Sequence, residues 1–204
     1  MKNLNVENAV HFNELNLASK KNKKVVRYEI FTSFDLNNSK LMDHLKWWSD
    51  KTFKESKMLE KSVDFLSKNL LYAIFAFDKD ILIGAAGLIP SLNRHKEKMY
   101  CGDKFVVELA SNYVDSYYRN QHIATNFVTK RLSFCKEKNF FPVSVTGSSQ
   151  IQKIFTHVAL LMKDFKEYTD IFKEVRVCEC NNIEKLSCEI CPVKEKAIWI
   201  FKGF

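Results

Sequence analysis

Glycine and proline are scarce in this chain. Its 204 residues include only 5 Gly and 3 Pro, where ordinary usage gives roughly 14 Gly at about 7%. Collagen-like and flexible-linker architectures are excluded. So are the common phosphate-cradling loops, because the close pair Gly84 and Gly87 fits neither G-x-G-x-x-G nor a Walker loop. Long apolar runs are missing too. The best two, residues 70–77 and 81–89, are separated by Asp78, Lys79 and Asp80, and neither approaches the roughly 20 residues that span a bilayer. They read as buried strands, and no membrane partner is expected. Residues 1–10 carry Asn and Glu where a signal peptide would carry an apolar stretch. The expected location is cytoplasmic, where thiols stay reduced.

What is present is the composition of a globule with a substantial core: 46% hydrophobic and 27% charged residues, at a length suited to one domain. Lys and Arg exceed Asp and Glu by 32 to 24, a net charge of +8. Such a surface suits an anionic partner, including a phosphorylated cofactor, and equally serves solubility. Lys20, Lys21, Lys23, Lys24 and Arg27 precede an apolar stretch without interleaved aromatics, so nucleic acid is not the expected partner.

Residues 1–24 are polar and weakly periodic, and residues 25–204 read as one domain. Residues 25–31 alternate as a strand. A turn at Asp35, Asn37, Asn38 and Ser39 supplies a cap for a helix with Leu41, Leu45, Trp48 and Phe53 at helical spacing. A short helix over 59–66 follows, and then a hairpin from the two apolar runs. Residues 105–114 read as a long strand, 125–138 as a helix packing Phe127, Val128, Leu132 and Cys135, and 141–145 as a short strand. Ile151, Ile154, Phe155 and Val158 mark a further helix, with strands expected at 174–178 and 197–201. The fold class is α/β (α+β), a mixed, mostly antiparallel central sheet flanked by helices.

The most informative stretch runs from Glu108 to Ala124, where a strand passes directly into a helix. Its Val114-Asp115 turn, Arg119, Gln121, Ile123 and Ala124 resemble the acetyl-CoA-binding motif of the GNAT N-acetyltransferases. Ser116 replaces the usual proline and His122 the usual glycine. The element order from about residue 25 to 160 extends the resemblance. Independently of any family, amides at a helix N-terminus point outward and its dipole favours a pyrophosphate, to which Arg119 can add a charge-assisted contact.

The resemblance implies an N-acetyltransferase that moves the acetyl group of acetyl-CoA to the primary amine of a small molecule or peptide by direct attack. It implies a strand bulge whose backbone at Asn112, Tyr113 and Val114 contacts the acetyl and pantetheine groups, and further cofactor contacts from Arg119, Asn120, Gln121, His122, Ile123, Ala124 and Thr125. Glu108 stands where many relatives carry a carboxylate base, whose pKa an apolar cleft would raise. Where relatives carry a proton-donating tyrosine, this chain has Phe155, so water, His157 or Tyr168 would serve, or no acid is needed. Trp47, Trp48 and Phe53 are candidates for an acceptor pocket and equally for the core. His11, His44 and His95 read as surface residues. The net charge disfavours polycationic acceptors. The contrasting possibility is a degenerate, non-enzymatic module of the same fold that binds nucleic acid, a protein or CoA.

Cys178, Cys180, Cys188 and Cys191 form C-x-C-x7-C-x2-C within a hairpin expected at 175–201. In a reducing compartment this spacing suits a structural Zn2+ held by four thiolates. An iron–sulfur cluster, which Cys191-Pro192 echoes, and four independent thiols are the other readings. Cys101 reads as a loop thiol and Cys135 as a packing residue.

Overall fold

The computed structural model describes residues 25–32, 34, 37–54, 61–92, 97–146, 148–158 and 197–201. Strand β1 (Val26–Phe31) leads to helix α1 (Ser39–Lys54). Asn38 caps α1, its side-chain oxygen accepting from the Leu41 amide at 3.0 Å. The buried stripe on α1 is Leu41, Leu45, Trp48 and Thr52, so four-residue spacing continues to Thr52. Phe53 is rotated off the stripe and is 53% exposed, a correction to its expected place on the packed face. Helix α2 (Val63–Asn69), shifted toward the C-terminus from the expected 59–66, is capped by Ser62.

The two apolar runs form β2 (Tyr72–Asp78) and β3 (Ile81–Pro90), paired antiparallel. Both are buried along almost their whole length because helices cover both faces of the sheet. Residues 73, 75 and 77 meet α1 and α2, while 72, 74 and 76 face the opposite core. Continuous apolarity follows from two-sided burial. The close glycines serve packing here. A Cβ on Gly84 would lie 3.1 Å from the Phe127 ring, and one on Gly87 would lie 2.9 Å from Trp48 and 2.4 Å from Leu70.

A two-residue strand, β4 (Tyr100–Cys101), pairs with β5 (Lys104–Val114). It contains Cys101, which is therefore a strand residue and not a loop thiol. A 3-10 turn (Ser116–Tyr118) precedes α3 (Ile123–Glu137), and β6 (Phe141–Thr146), α4 (Ser149–Val158) and β7 (Ala197–Ile200) follow. The main sheet has the order β1-β2-β3-β5-β6-β7, with β4 off that path. Among its described pairings all are antiparallel except β5 with β6. Helices α3 and α4 cover the face opposite α1, contributing Ile123, Phe127, Val128, Cys135 and Phe155 to one core. The expected strand at 174–178 and the four-cysteine hairpin lie outside the described residues, as does the segment 1–24.

Candidate active site

Strand β5 organises the site. Glu108 lies at its middle, opposite Ile89 of β3 and Val143 of β6. The parallel pairing covers only Val106, Val107 and Glu108. Beyond it β5 and β6 no longer pair residue for residue, and the Ser144 hydroxyl donates to the Leu109 carbonyl at 3.3 Å. Glu108 is half-buried at the point where the seam opens.

Just past that point β5 carries one extra residue. Gly87 faces Ala110 and Ala85 faces Tyr113, so three steps on β5 match two on β3. Ser111 has φ 47°, the left-handed conformation that a bulge of this kind uses. Both polar atoms of the Asn112 side chain are buried without a hydrogen-bond partner among the described residues. An unsatisfied buried amide costs about 1–3 kcal/mol, a cost that a ligand group pairing with this side chain would recover. The Asp115 amide donates to Ile83 on β3 at 2.9 Å. Strand alternation then turns the Val114 amide toward the opposite edge, where the seam is open.

The connection to α3 is built from local hydrogen bonds. The Asp115 carboxylate accepts from the Tyr117 amide at 3.1 Å, and the Arg119 side chain donates through Nε to the Val114 carbonyl at 3.1 Å. This anchors an exposed guanidinium at the end of β5. Asn120 and His122 have φ of 64° and 61°. His122 thus adopts the left-handed conformation that glycine favours, which histidine tolerates better than most residues. It is the N-cap of α3 but makes no side-chain capping bond. The opening turn through Ile123, Ala124 and Thr125 therefore presents amides without intrahelical acceptors.

Other expected residues fall differently. Trp48 is fully buried in the core under α1, so it lines no acceptor pocket, whereas Phe53 is exposed. Trp47 packs edge-on against Tyr113 at 5.6 Å. Beside them Lys51 lies 5.3 Å from the Trp47 ring centre and 3.7 Å from Asp115, tying α1 to the end of β5. Phe155 is buried against Phe201, and the side chain of His157 and residue Tyr168 lie outside the described residues. His44 is no surface histidine: its side chain is 12% exposed and shares a hydrogen bond with Glu29. His11 and His95 lie outside the described residues.

One residue went unnoticed in the sequence. Arg131 on α3 is fully buried, donating through Nε to Phe127 at 3.1 Å and through Nη1 to Gly87 at 3.0 Å and Ala110 at 3.2 Å. Burial lowers its pKa to about 10, opposed by Tyr72 and Cys135. Burial likewise pushes the Cys135 thiol up to about 12 and raises Tyr72. The signal was its position, four residues from both Phe127 and Cys135 on the apolar face. Among the described residues no group of three or more His, Cys, Asp or Glu could hold a metal, and Cys178, Cys180, Cys188 and Cys191 lie outside them. No helix among them is long and apolar enough to cross a membrane.

No protein-family model matches the chain, and no curated protein matches it in sequence. Solved structures do match in fold. The Rv2747 protein of Mycobacterium tuberculosis, solved with CoA and NLQ, is 12% identical with a TM-score of 0.54, over 84% of this chain and 97% of that one. The NatC complex bound to Gag peptide and CoA matches at 14% identity and TM-score 0.50, over 68% of this chain and 86% of that one. N-acetylglutamate synthase from Neisseria gonorrhoeae, complexed with coenzyme A and N-acetyl-glutamate, matches at 9% and 0.51 over 85% of this chain, which spans 34% of that longer one. At such identities the likeness concerns architecture, and the mixed, mostly antiparallel sheet flanked by helices is the GNAT acetyltransferase fold.

Proposed function

We propose that this protein is an acyl-CoA-dependent N-acetyltransferase that uses acetyl-CoA to acetylate a primary amine. The observation that carries this reading is the continuity of three features along residues 108–125: an opening seam, a bulge with an unsatisfied Asn112 amide, and a helix N-terminus without a side-chain cap. That run suits a long donor with a carbonyl at one end and a pyrophosphate at the other. Three fold neighbours solved with CoA support it.

In this reading Arg119 and the amides of Asn120, Gln121, His122, Ile123, Ala124 and Thr125 hold the pyrophosphate. The backbone of Asn112, Tyr113 and Val114 binds the acetyl and pantetheine groups, and the Asn112 side chain pairs with one of their amides. Glu108 accepts one proton from the acceptor ammonium. The amine nitrogen then bonds to the thioester carbon while the carbonyl π pair moves to oxygen. When that pair returns, the C–S bond breaks and the thiolate takes the second nitrogen proton. The products are the N-acetyl amide, CoA thiol and the proton held by Glu108. The acceptor is a small molecule or peptide, and the +8 charge disfavours a polycation.

The spacing of Cys178, Cys180, Cys188 and Cys191 supports a structural Zn2+ in the same chain, since four thiolates leave no open coordination position for chemistry.

Native mass spectrometry of the full chain with and without acetyl-CoA tests the reading, followed by a screen of primary amines for CoA release. A stoichiometric adduct and an N-acetylated product are expected. Absence of an adduct at millimolar acetyl-CoA would overturn it and leave the non-enzymatic module.

A further inference from the structure

Among the described residues, Arg131 is the one cation in the set of largest fully buried side chains. Its guanidinium donates to three backbone carbonyls, two of them on different strands. Gly87 and Ala110 are register partners, and theirs is the last pair before the bulge. One guanidinium therefore grips both strands at the point where β5 leaves regular pairing. A peptide group whose carbonyl accepts a charge-assisted bond becomes a stronger donor at its own N–H. For Ala110 that N–H belongs to Ser111, the left-handed residue of the bulge.

Among the described residues no carboxylate pairs with this charge. The groups that bear on it electrostatically are Tyr72 and Cys135, both held neutral near pH 7 because burial raises their pKa values. A lone cation in a low-dielectric interior acts over longer range than one in water. It also serves packing poorly, since desolvating it is costly, and Met or Leu could fill the same volume.

We infer that Arg131 is a positioning residue for acetyl transfer: by holding Gly87 and Ala110 it fixes the β5 bulge, and its charge strengthens the bulge amides toward the oxygen that becomes negative as the amine adds to the thioester. This rests on the acetyltransferase reading above. It assigns to α3 a role at the acyl carbon as well as at the phosphates.

The test uses [1-13C]acetyl-CoA bound to the full-length protein, with the infrared carbonyl band of the thioester as readout and calorimetry for affinity. In the wild type the band shifts to lower frequency on binding and stays constant to pH 9. R131M and R131Q, whichever keeps the wild-type circular dichroism, should lose most of that shift with little loss of affinity. They should also lower kcat roughly tenfold, less than the 10²–10³ of a direct oxyanion donor. R131K provides a second handle. A buried lysine gives up its proton more readily than arginine, so the shift in R131K should be present at low pH and fade as pH rises toward 9.

A carbonyl band equally shifted in wild type, a neutral variant and R131K at every pH would overturn the inference while leaving the acetyltransferase reading in place. So would a loss in R131K as complete and pH-independent as in the neutral variants, which marks a purely steric role. Failure of the wild type to bind acetyl-CoA removes the reading of function and this inference with it.

Discussion

The His44 imidazole on α1 lies 3.3 Å from a carboxylate oxygen of Glu29 on β1, with its ring among Phe75 at 5.0 Å, Phe77 at 5.3 Å and Phe31 at 6.1 Å. Burial lowers the His44 pKa from its ordinary 6.5, although Glu29 opposes this. For Glu29, burial acts upward, but hydrogen bonds from Lys40, Arg27 and His44 and the charge of Lys40 outweigh it, leaving the carboxyl below its ordinary 4.5.

Both shifts make acid destabilising. The unfolded chain protonates His44 first, so stability present above pH 6.5 falls as pH drops through that value and levels off below the folded pKa. Glu29 adds a second loss below pH 4.5. Thermal melts should therefore give a lower Tm at pH 5 than at pH 7.5, and H44Q should narrow the gap. A gap unchanged in H44Q would contradict this account.

His122 occupies a left-handed conformation without a capping bond. H122G should relieve that strain, gaining up to about 1 kcal/mol after the entropy glycine adds to the unfolded chain. H122V should lose about 1–2 kcal/mol, because a branched Cβ fits this conformation poorly. Urea titration reads both. Equal stability of the valine variant would show that the loop before α3 relaxes to another conformation.

E108Q keeps the size of Glu108 and removes its capacity to accept a proton. Binding of acetyl-CoA should stay within about twofold, while kcat with any amine identified by screening should fall by roughly 10²–10⁴. An unaltered kcat would assign proton removal to another group.

Metal analysis of protein purified without chelators should find one zinc per chain. Replacing Cys188 and Cys191 together by serine should abolish it and lower stability. Stoichiometric iron with a visible charge-transfer band would replace zinc by a cluster, and no metal would leave four free thiols.

Much of this architecture was legible because its signals are local. Asn38 and the Leu41, Leu45, Trp48 stripe marked α1, and Asp78-Lys79-Asp80 separated two strands apolar enough to be buried on both faces. The β5-to-α3 passage was legible through Arg119 and Ala124. What escaped depends on contacts distant in sequence. The two residues of β4 are too few to show a period. The bulge was anticipated through the family resemblance alone, because its position at Ser111 and Asn112 is defined by register against β3, which no pattern within β5 encodes. His44 was read by polarity as a surface residue and Arg131 drew no notice, but each sits three or four residues from an apolar neighbour on its helix, and that spacing placed them inside.

The seam between β5 and β6 also governs how the sheet comes apart. Three residue pairs, in the slightly weaker parallel arrangement, join β6 and β7 to β5, whereas β2 and β3 are zipped along nearly their full length. Amides along this short joint should exchange with deuterium by partial opening, ahead of those in the β2–β3 hairpin. Along the order β1-β2-β3-β5-β6-β7 this is the joint with the fewest residue pairs, and it is the place where a donor would have to slide between strands.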